Sequence, residues 1–275
     1  MSADPLDGVV LYDKPAGITS HDAVARMRRA LGGPGSSGRV KVGHAGTLDP
    51  FATGLLLILV GRATRVQRFL MALRKTYEAT ARFGAVSTTG DPEGEILATG
   101  VVPSGDLELP TGSVHQRPPA FSAVKVGGRR AYALARAGEA VELAERVVEV
   151  YRFEERWREG DRRGFTIECS SGTYVRSLIA DLGDAYCEKL RRTAIGAFEV
   201  ADADPERLVG LDDALSFMPE VRLDADQARR ASHGAAVPGA AREAEVVRLT
   251  DAVGLVALAE PRPGGMLAPV VGLRG

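Results

Sequence analysis

The chain has 275 residues, 35 lysines and arginines against 36 aspartates and glutamates, and a formal net charge of −1. Its longest aliphatic run, Leu55 to Val60, is too short to cross a bilayer, and MSADPLDG carries acids where a secretion signal has basic then apolar residues, so a cytoplasmic protein without membrane contact is expected. Cys169 and Cys187 form neither a CxxC pair nor a zinc pattern, which fits a reduced compartment and calls for no metal.

In chain order, Gly8 to Tyr12 reads as a short apolar strand and DKPAG, residues 13 to 17, as a turn. Ser20 is the expected cap of a helix whose apolar stripe runs through Ala23, Val24, Met27 and Leu31. GGPGSSG, residues 32 to 38, is a loop that lacks the Gly-Lys-Ser/Thr ending of a phosphate loop. In GHAGTLDP, residues 43 to 50, Asp49 is pinned against a proline just ahead of an apolar run of strand length, Gly54 to Val60. A helix through Val66, Phe69 and Leu70 follows. Lys75 to Phe83 then alternates, with Tyr77, Ala79, Ala81 and Phe83 on one face, as a half-buried strand does.

Turns fill 84 to 119, among them Gly90-Asp91-Pro92-Glu93-Gly94, and 117 to 138 is irregular before turning helical. Val147 to Trp157 and Gly164 to Ser170 are expected strands. From Thr173 a helix is expected with Val175, Leu178, Ile179, Leu182 and Tyr186 on its buried face, and Ala194 to Val200 is the next strand. Elements mixed without a βαβ repeat imply an α+β domain with a mixed, largely antiparallel sheet. Beyond Pro219, a helix capped by Asp224 and short β segments separated by Gly and Pro mark residues 221–275 as a small second domain after 1–220. Two acid-free basic runs, Arg62 to Lys75 and Arg117 to Arg136, suggest a basic face for a polyanion on an otherwise neutral body.

Taken singly, Asp49, His44 and Arg176 are ordinary, since an Asp-Pro pair usually builds a turn. Together, LYDKPAGITS (11 to 20), GHAGTLDPFATG (43 to 54), KTYEA (75 to 79), GTYVRSL (172 to 178) and LRRT (190 to 193) closely resemble the pseudouridine synthase family that includes the TruB-type tRNA pseudouridine-55 synthases. The likeness spans about residues 8 to 200 in motif order, and 221–275 resembles a small PUA-like, β-rich RNA-binding domain. The resemblance implies that Asp49 is the catalytic aspartate, Tyr77 the ring that stacks on the target base, and Arg176 the partner of the aspartate. It further implies that Tyr174 is a second active-site aromatic, Leu190 an apolar wall of the base pocket, and Lys14 with Pro15 a support of the catalytic loop. His44 would lie against the T loop of the RNA, and 117–138, with Arg129 and Arg130, would be an insertion that closes over it. One departure stands out: only DAYCEK, residues 184 to 189, precedes Leu190, where the family usually has a longer connection.

The chemistry explains these residue types. Pseudouridine formation cuts the N-glycosidic bond of a uridine in RNA, turns the ring and joins C5 to the same sugar carbon, without redox equivalents, metal or other cofactor. It needs an ionised carboxylate, either as nucleophile toward C1′ or C6 or as the base that takes the 2′ proton. A guanidinium within ~4–6 Å lowers a carboxylate pKa by roughly 1–3 units. The target uridine must first leave its stack, and an aromatic ring recovers roughly 1–3 kcal/mol per stacked base. The expected protein is a monomeric isomerase acting on the tRNA T arm without an obligate protein partner. The rival readings are the catalytic subunit of a guide-RNA particle and an RNA-binding, tRNA-folding factor; a two-carboxylate glycosidase would need a second acid that no motif supplies.

Overall fold

The structure, a computed structural model, describes residues 6–32, 40–122, 124–131, 134, 137, 139, 143–241 and 244–274, with Lys125 and Arg130 described for their backbone only. Residues 123, 132, 133, 135, 136 and 138 of the insertion expected at 117–138 therefore lie outside the described residues, as does most of the 32–38 loop.

The larger of two main sheets has ten strands. They are β1 (Gly8–Lys14), β2 (Val42–Ala45), β3 (Thr53–Val60), β4 (Lys75–Phe83), β5 (Gly112–Gln116), β6 (Arg146–Glu159), β7 (Arg162–Cys169), β8 (Ala185–Ile195), β9 (Phe198–Glu199) and β10 (Leu208–Val209). Their order is β10-β1-β3-β8-β4-β7-β6-β5, with β2 alongside β3 and β9 alongside β8. Every pairing in this sheet is antiparallel except β3 with β8, which run parallel at Arg191↔Thr53 and Arg192↔Gly54. The α+β, largely antiparallel architecture is the one the pattern of elements implied.

That parallel contact dictates a glycine. Gly54 has φ +102°, and a Cβ there would lie 2.2 Å from the Arg192 carbonyl oxygen, so a side chain would force β3 and β8 apart. β3 is buried on both faces, which is why Leu55 to Val60 is continuously apolar. On β4 the alternation is literal: Tyr77, Ala79, Ala81 and Phe83 enter a core with Phe165 and Ile167, and Glu78 stays exposed on the other face.

The helix α1 (Ser20–Leu31) lays Ala23, Val24 and Met27 on Leu56 and Ile58. Its N-cap is Thr19, not Ser20: the Thr19 side chain accepts from the Asp22 amide and Asp22 bonds back, a reciprocal capping box. The short α2 (Gln67–Ala72) follows a 3₁₀ turn. The helix α3 spans only Val175–Ala180, whereas the apolar spacing predicts one through Tyr186. A turn at residues 181–184, with Gly183 at φ +130°, ends it, and Tyr186 belongs to β8 opposite Arg82. The DAYCEK segment is thus mostly the start of a strand that carries LRRT as well. The strand predicted at Ala194 to Val200 is split by a turn at Gly196 (φ +57°) into the end of β8 and the short β9.

The second sheet holds β11 (Glu220–Arg222), β12 (Val237–Pro238), β13 (Val247–Asp251), β14 (Gly254–Arg262) and β15 (Met266–Gly272), in the order β11-β13-β14-β15-β12. Helix α4 (Ala225–Ser232), capped by Asp224, covers one face, its Ala228 and Ala231 packing with Leu249, Val256 and Leu267. The other face joins the main core, where Leu258 and Leu273 pack with Leu11, Leu57 and Leu215. Arginines stitch the same seam: Arg62 and Arg65 donate to the carbonyls of Leu273 (2.7 Å) and Gly272 (2.8 Å), and Arg68 lies 3.7 Å from Glu260.

The basic runs of the sequence are therefore less basic in space. In the first, Arg74 lies on the Tyr151 ring and near Glu168, and Lys75 is buried. In the second, Arg117 pairs with Glu145 and Arg129 with Glu139, both acids lying further along the chain. Charges separated along the chain are neighbours once it folds, so composition overstated the basic face. No helix among the described residues is long and apolar enough to cross a membrane.

Candidate active site

Asp49 sits in the loop between β2 and β3, and its neighbours hold that loop from three directions. Ser20, 1% exposed, receives the Leu48 amide (2.9 Å) and donates to the Leu48 carbonyl (3.2 Å). Lys14 is fully buried and donates to the carbonyls of Pro15, Ile18 and Pro50, and the Gly17 amide also donates to Pro50 (2.9 Å). The residues on both sides of Asp49 are fixed before any substrate arrives. Lys14 thereby supports the loop from inside.

Arg176, on the first turn of α3, points its guanidinium at this loop. Its Nε lies 2.9 Å from Asp49 Oδ2, an ion pair whose N–H is not aligned for a hydrogen bond. Its Nη1 donates to Asp91 Oδ2 (2.9 Å) and the Thr89 carbonyl (2.7 Å), and Nη2 donates to the Phe121 carbonyl (2.9 Å). One buried cation is thus shared by two carboxylates. Asp91, whose role the sequence left open, is itself held by Thr89 Oγ1 (2.5 Å) and the Glu93 amide (3.0 Å). The Gly-Asp-Pro turn was visible in sequence; its place beside Arg176 arises from contacts 85 residues apart.

Burial pushes the Asp49 carboxyl above the ordinary carboxylate range; Arg176 opposes this, and the negative charge of Asp91 adds to it. Burial is thus the larger influence, and the guanidinium offsets it only in part. Lys14 and the fully buried Arg192 add positive charge nearby: burial brings Lys14 down to about 8, with Asp49 pulling it up and Arg192 down.

A cavity of about 230 Å³ opens over these groups. Asp49, Tyr77, Tyr174, Arg176 and Leu190 all line it, so five of the sequence-predicted residues meet in one place, from a loop, two strands and a helix start. Despite the short connection before it, Leu190 reaches the cavity because β8 runs directly beside β4, where Leu190 faces Ala79. Tyr77 stands opposite Arg192 across the same pair of strands, and burial raises its hydroxyl pKa. Arg192 and Lys75 also line the cavity and were not singled out in sequence. Arg192 donates to the carbonyls of Leu55 (2.7 Å) and Gly46 (3.1 Å), and Lys75 to those of Met71 and Leu73.

The remaining predicted residues lie outside the lining. His44, on β2, meets His21 edge to face at 5.6 Å, and burial brings its imidazole down to about 4. Arg129 pairs with Glu139 at 2.9 Å, and the Arg130 side chain is outside the described residues.

A carboxylate–guanidinium pair thus lies in one cavity with two tyrosines and a leucine, on a largely antiparallel sheet. The model of the TruB family pseudouridylate synthases (N terminal domain) matches residues 35–175, and the chain belongs to that family. Its relatives include the tRNA pseudouridine synthase B of Nocardia farcinica, 47% identical over 266 residues and covering 89% of this chain and 81% of that protein. That of Thermobifida fusca is 42% identical over 297 residues, covering 96% of this chain and 98% of that protein. Among solved structures, a Cbf5-Nop10-Gar1 complex matches with a TM-score of 0.68 at 27% identity, over 94% of this chain and 79% of that one. An H/ACA RNP bound to a substrate RNA containing 2′-deoxyuridine matches in fold, with a TM-score of 0.70 at 24% identity over 98% of this chain and 85% of that one.

Proposed function

We propose that the chain converts one uridine in the T loop of tRNA, position 55, to pseudouridine, as a cytoplasmic, cofactor-free monomer. The observation that carries this reading is the Asp49–Arg176 ion pair at the floor of a cavity walled by Tyr77, Tyr174 and Leu190. The extruded uracil stacks on Tyr77 against Leu190, which offsets part of the cost of leaving the RNA stack. Asp49 then faces the sugar and acts as the nucleophile or as the base for the 2′ proton, its charge maintained by Arg176 against burial and Asp91. The C1′–N1 bond breaks, the uracil turns within the walls of the cavity and C5 joins C1′; C5 then gives up its proton and N1 gains one, so the product is an isomer. A loop held by Ser20 and Lys14 keeps the reacting oxygen in place through both steps.

Selectivity comes from the shape of the folded T arm, since phosphate contacts position RNA without reading its sequence. His44, Arg129 and Arg130 are assigned to that outer contact, and residues 221–275 to a PUA-like surface that extends it. The stand-alone reading is favoured over the guide-RNA particle because relatives at 40–47% identity bear the name tRNA pseudouridine synthase B, whereas the particle structures share 23–27%. The test is incubation of the purified chain with an unmodified tRNA transcript, no other RNA or protein present, followed by mapping of pseudouridine. Product at a single T-loop uridine is expected; dependence on an added guide RNA or partner would overturn the stand-alone reading.

A further inference from the structure

Gln116 ends β5 and is 1% exposed, and both ends of its amide are hydrogen-bonded. Its Nε2 donates to the Tyr174 carbonyl (2.9 Å) and its Oε1 accepts from the Tyr174 amide (2.7 Å). A side-chain amide paired with both polar groups of one backbone residue acts like one rung of a sheet and fixes the peptide planes on both sides. Tyr174 is the residue where this matters. Its ring lines the cavity, and it is the N-cap of α3 without any side-chain cap of its own, so its backbone sets the direction in which Arg176 leaves the helix two residues later. Nearby contacts run the same way: Ser177 Oγ donates to the Arg117 carbonyl (3.2 Å), and Arg176 Nη2 to that of Phe121 (2.9 Å). The stretch from Gln116 to Phe121 is thereby bonded to the start of α3 at three residues, Tyr174, Arg176 and Ser177. Ser20 treats Leu48, the neighbour of Asp49, in the same two-ended manner.

We infer that Gln116 is a positioning residue for catalysis, which acts through the Tyr174 backbone to hold the Tyr174 ring and the Arg176 guanidinium in register with Asp49. The inference rests on the proposed function. Only a group that both donates and accepts serves here. Glutamate has no proton to offer the Tyr174 carbonyl and sets oxygen against oxygen, and methionine leaves both backbone groups unpaired.

The test compares wild type, Gln116→Glu, Gln116→Met and Asp49→Ala in single-turnover assays on unmodified tRNA transcript, with RNA affinity measured separately and circular dichroism confirming the folded fraction. Both Gln116 variants are expected to bind RNA within about twofold of wild type while the rate constant falls on the order of 10²-fold, since displacements near 1 Å cost that much. The acidic limb of their pH–rate profile should move to higher pH, because a displaced Arg176 no longer offsets the burial of Asp49. A purely structural role would lower the folded fraction and leave that limb in place. If Gln116→Met does not fold, Gln116→Glu, which keeps the size and one of the two bonds, decides the matter. A per-folded-molecule rate equal to wild type, or a loss fully explained by weaker RNA binding, overturns the inference. Absence of product from wild type would instead defeat the proposed function itself.

Discussion

Arg176 Nε stands 2.9 Å from Asp49 Oδ2 without a hydrogen-bond alignment, while the same guanidinium is hydrogen-bonded through both of its other nitrogens to groups outside the catalytic loop. The cation is anchored elsewhere and offered to Asp49 mainly as charge. Substituting Arg176 by methionine keeps much of the volume and removes that charge. The Asp49 pKa, already raised by burial, then rises further, so the ionised fraction near neutrality falls. A loss of rate on the order of 10²–10³-fold is expected from the removal of one electrostatic stabiliser, with the acidic limb of the pH–rate profile shifted upward. Single-turnover rates across pH check both; an unmoved limb would contradict the role given to Arg176.

Asp91→Asn predicts the opposite shift. Asp91 raises the Asp49 pKa by like-charge repulsion across Arg176, so its neutral analogue lets Asp49 ionise at lower pH, and the acidic limb moves down. The maximal rate should fall by less than in Arg176→Met, because the amide oxygen still accepts from Nη1. A limb that moves upward would show that Asp91 matters chiefly for orienting Arg176.

His44 offers a check on burial away from the cavity. Its folded pKa is depressed from 6.5 to about 4, so between those values the unfolded chain binds the extra proton and the folded chain does not. The contribution of His44 to stability is therefore complete above pH 6.5 and is lost as pH falls toward 4. An NMR titration of its ring should show a midpoint near 4 in the folded protein. A midpoint in the usual range near 6.5 would mean that the imidazole is solvated.

The seam with the second sheet predicts that residues 1–220 alone fold poorly. Removing 221–275 strips Leu258 and Leu273 from the shared core, each worth about 1.5–3 kcal/mol of burial, and leaves Arg62 and Arg65 without their carbonyl acceptors on Leu273 and Gly272. The full chain should melt in one cooperative transition, and the shortened chain at a clearly lower temperature or with aggregation. Equal melting temperatures in calorimetry would show that 1–220 is an independent unit.

Local pattern made much of this fold readable. The two-residue period of Lys75 to Phe83 and the unbroken apolar run before Val60 each report burial by neighbouring strands, and both strands are present. The helix predicted to reach Tyr186 overshot because Leu182 and Tyr186 fit a helical stripe as readily as a buried turn and strand, and only pairing with β4 distinguishes them. Ser20 was read as a cap, since capping is local, whereas its bonds to Leu48 span 28 residues. Asp49, Tyr77, Tyr174, Arg176 and Leu190 were legible as motifs. Asp91, Gln116 and Arg192 were not, because each acts on a partner distant in the chain. The basic runs misled for the same reason: their acidic and carbonyl partners come from other segments.

Asp49 is the residue on which the proposed chemistry depends. Purified wild type and Asp49→Ala should be given the same unmodified tRNA transcript under single-turnover conditions, with pseudouridine mapped base by base and binding measured in parallel. The expected result is pseudouridine at one T-loop uridine with wild type and none with Asp49→Ala, although the substituted protein still binds the RNA. Pseudouridine formed by Asp49→Ala at a comparable rate would contradict it.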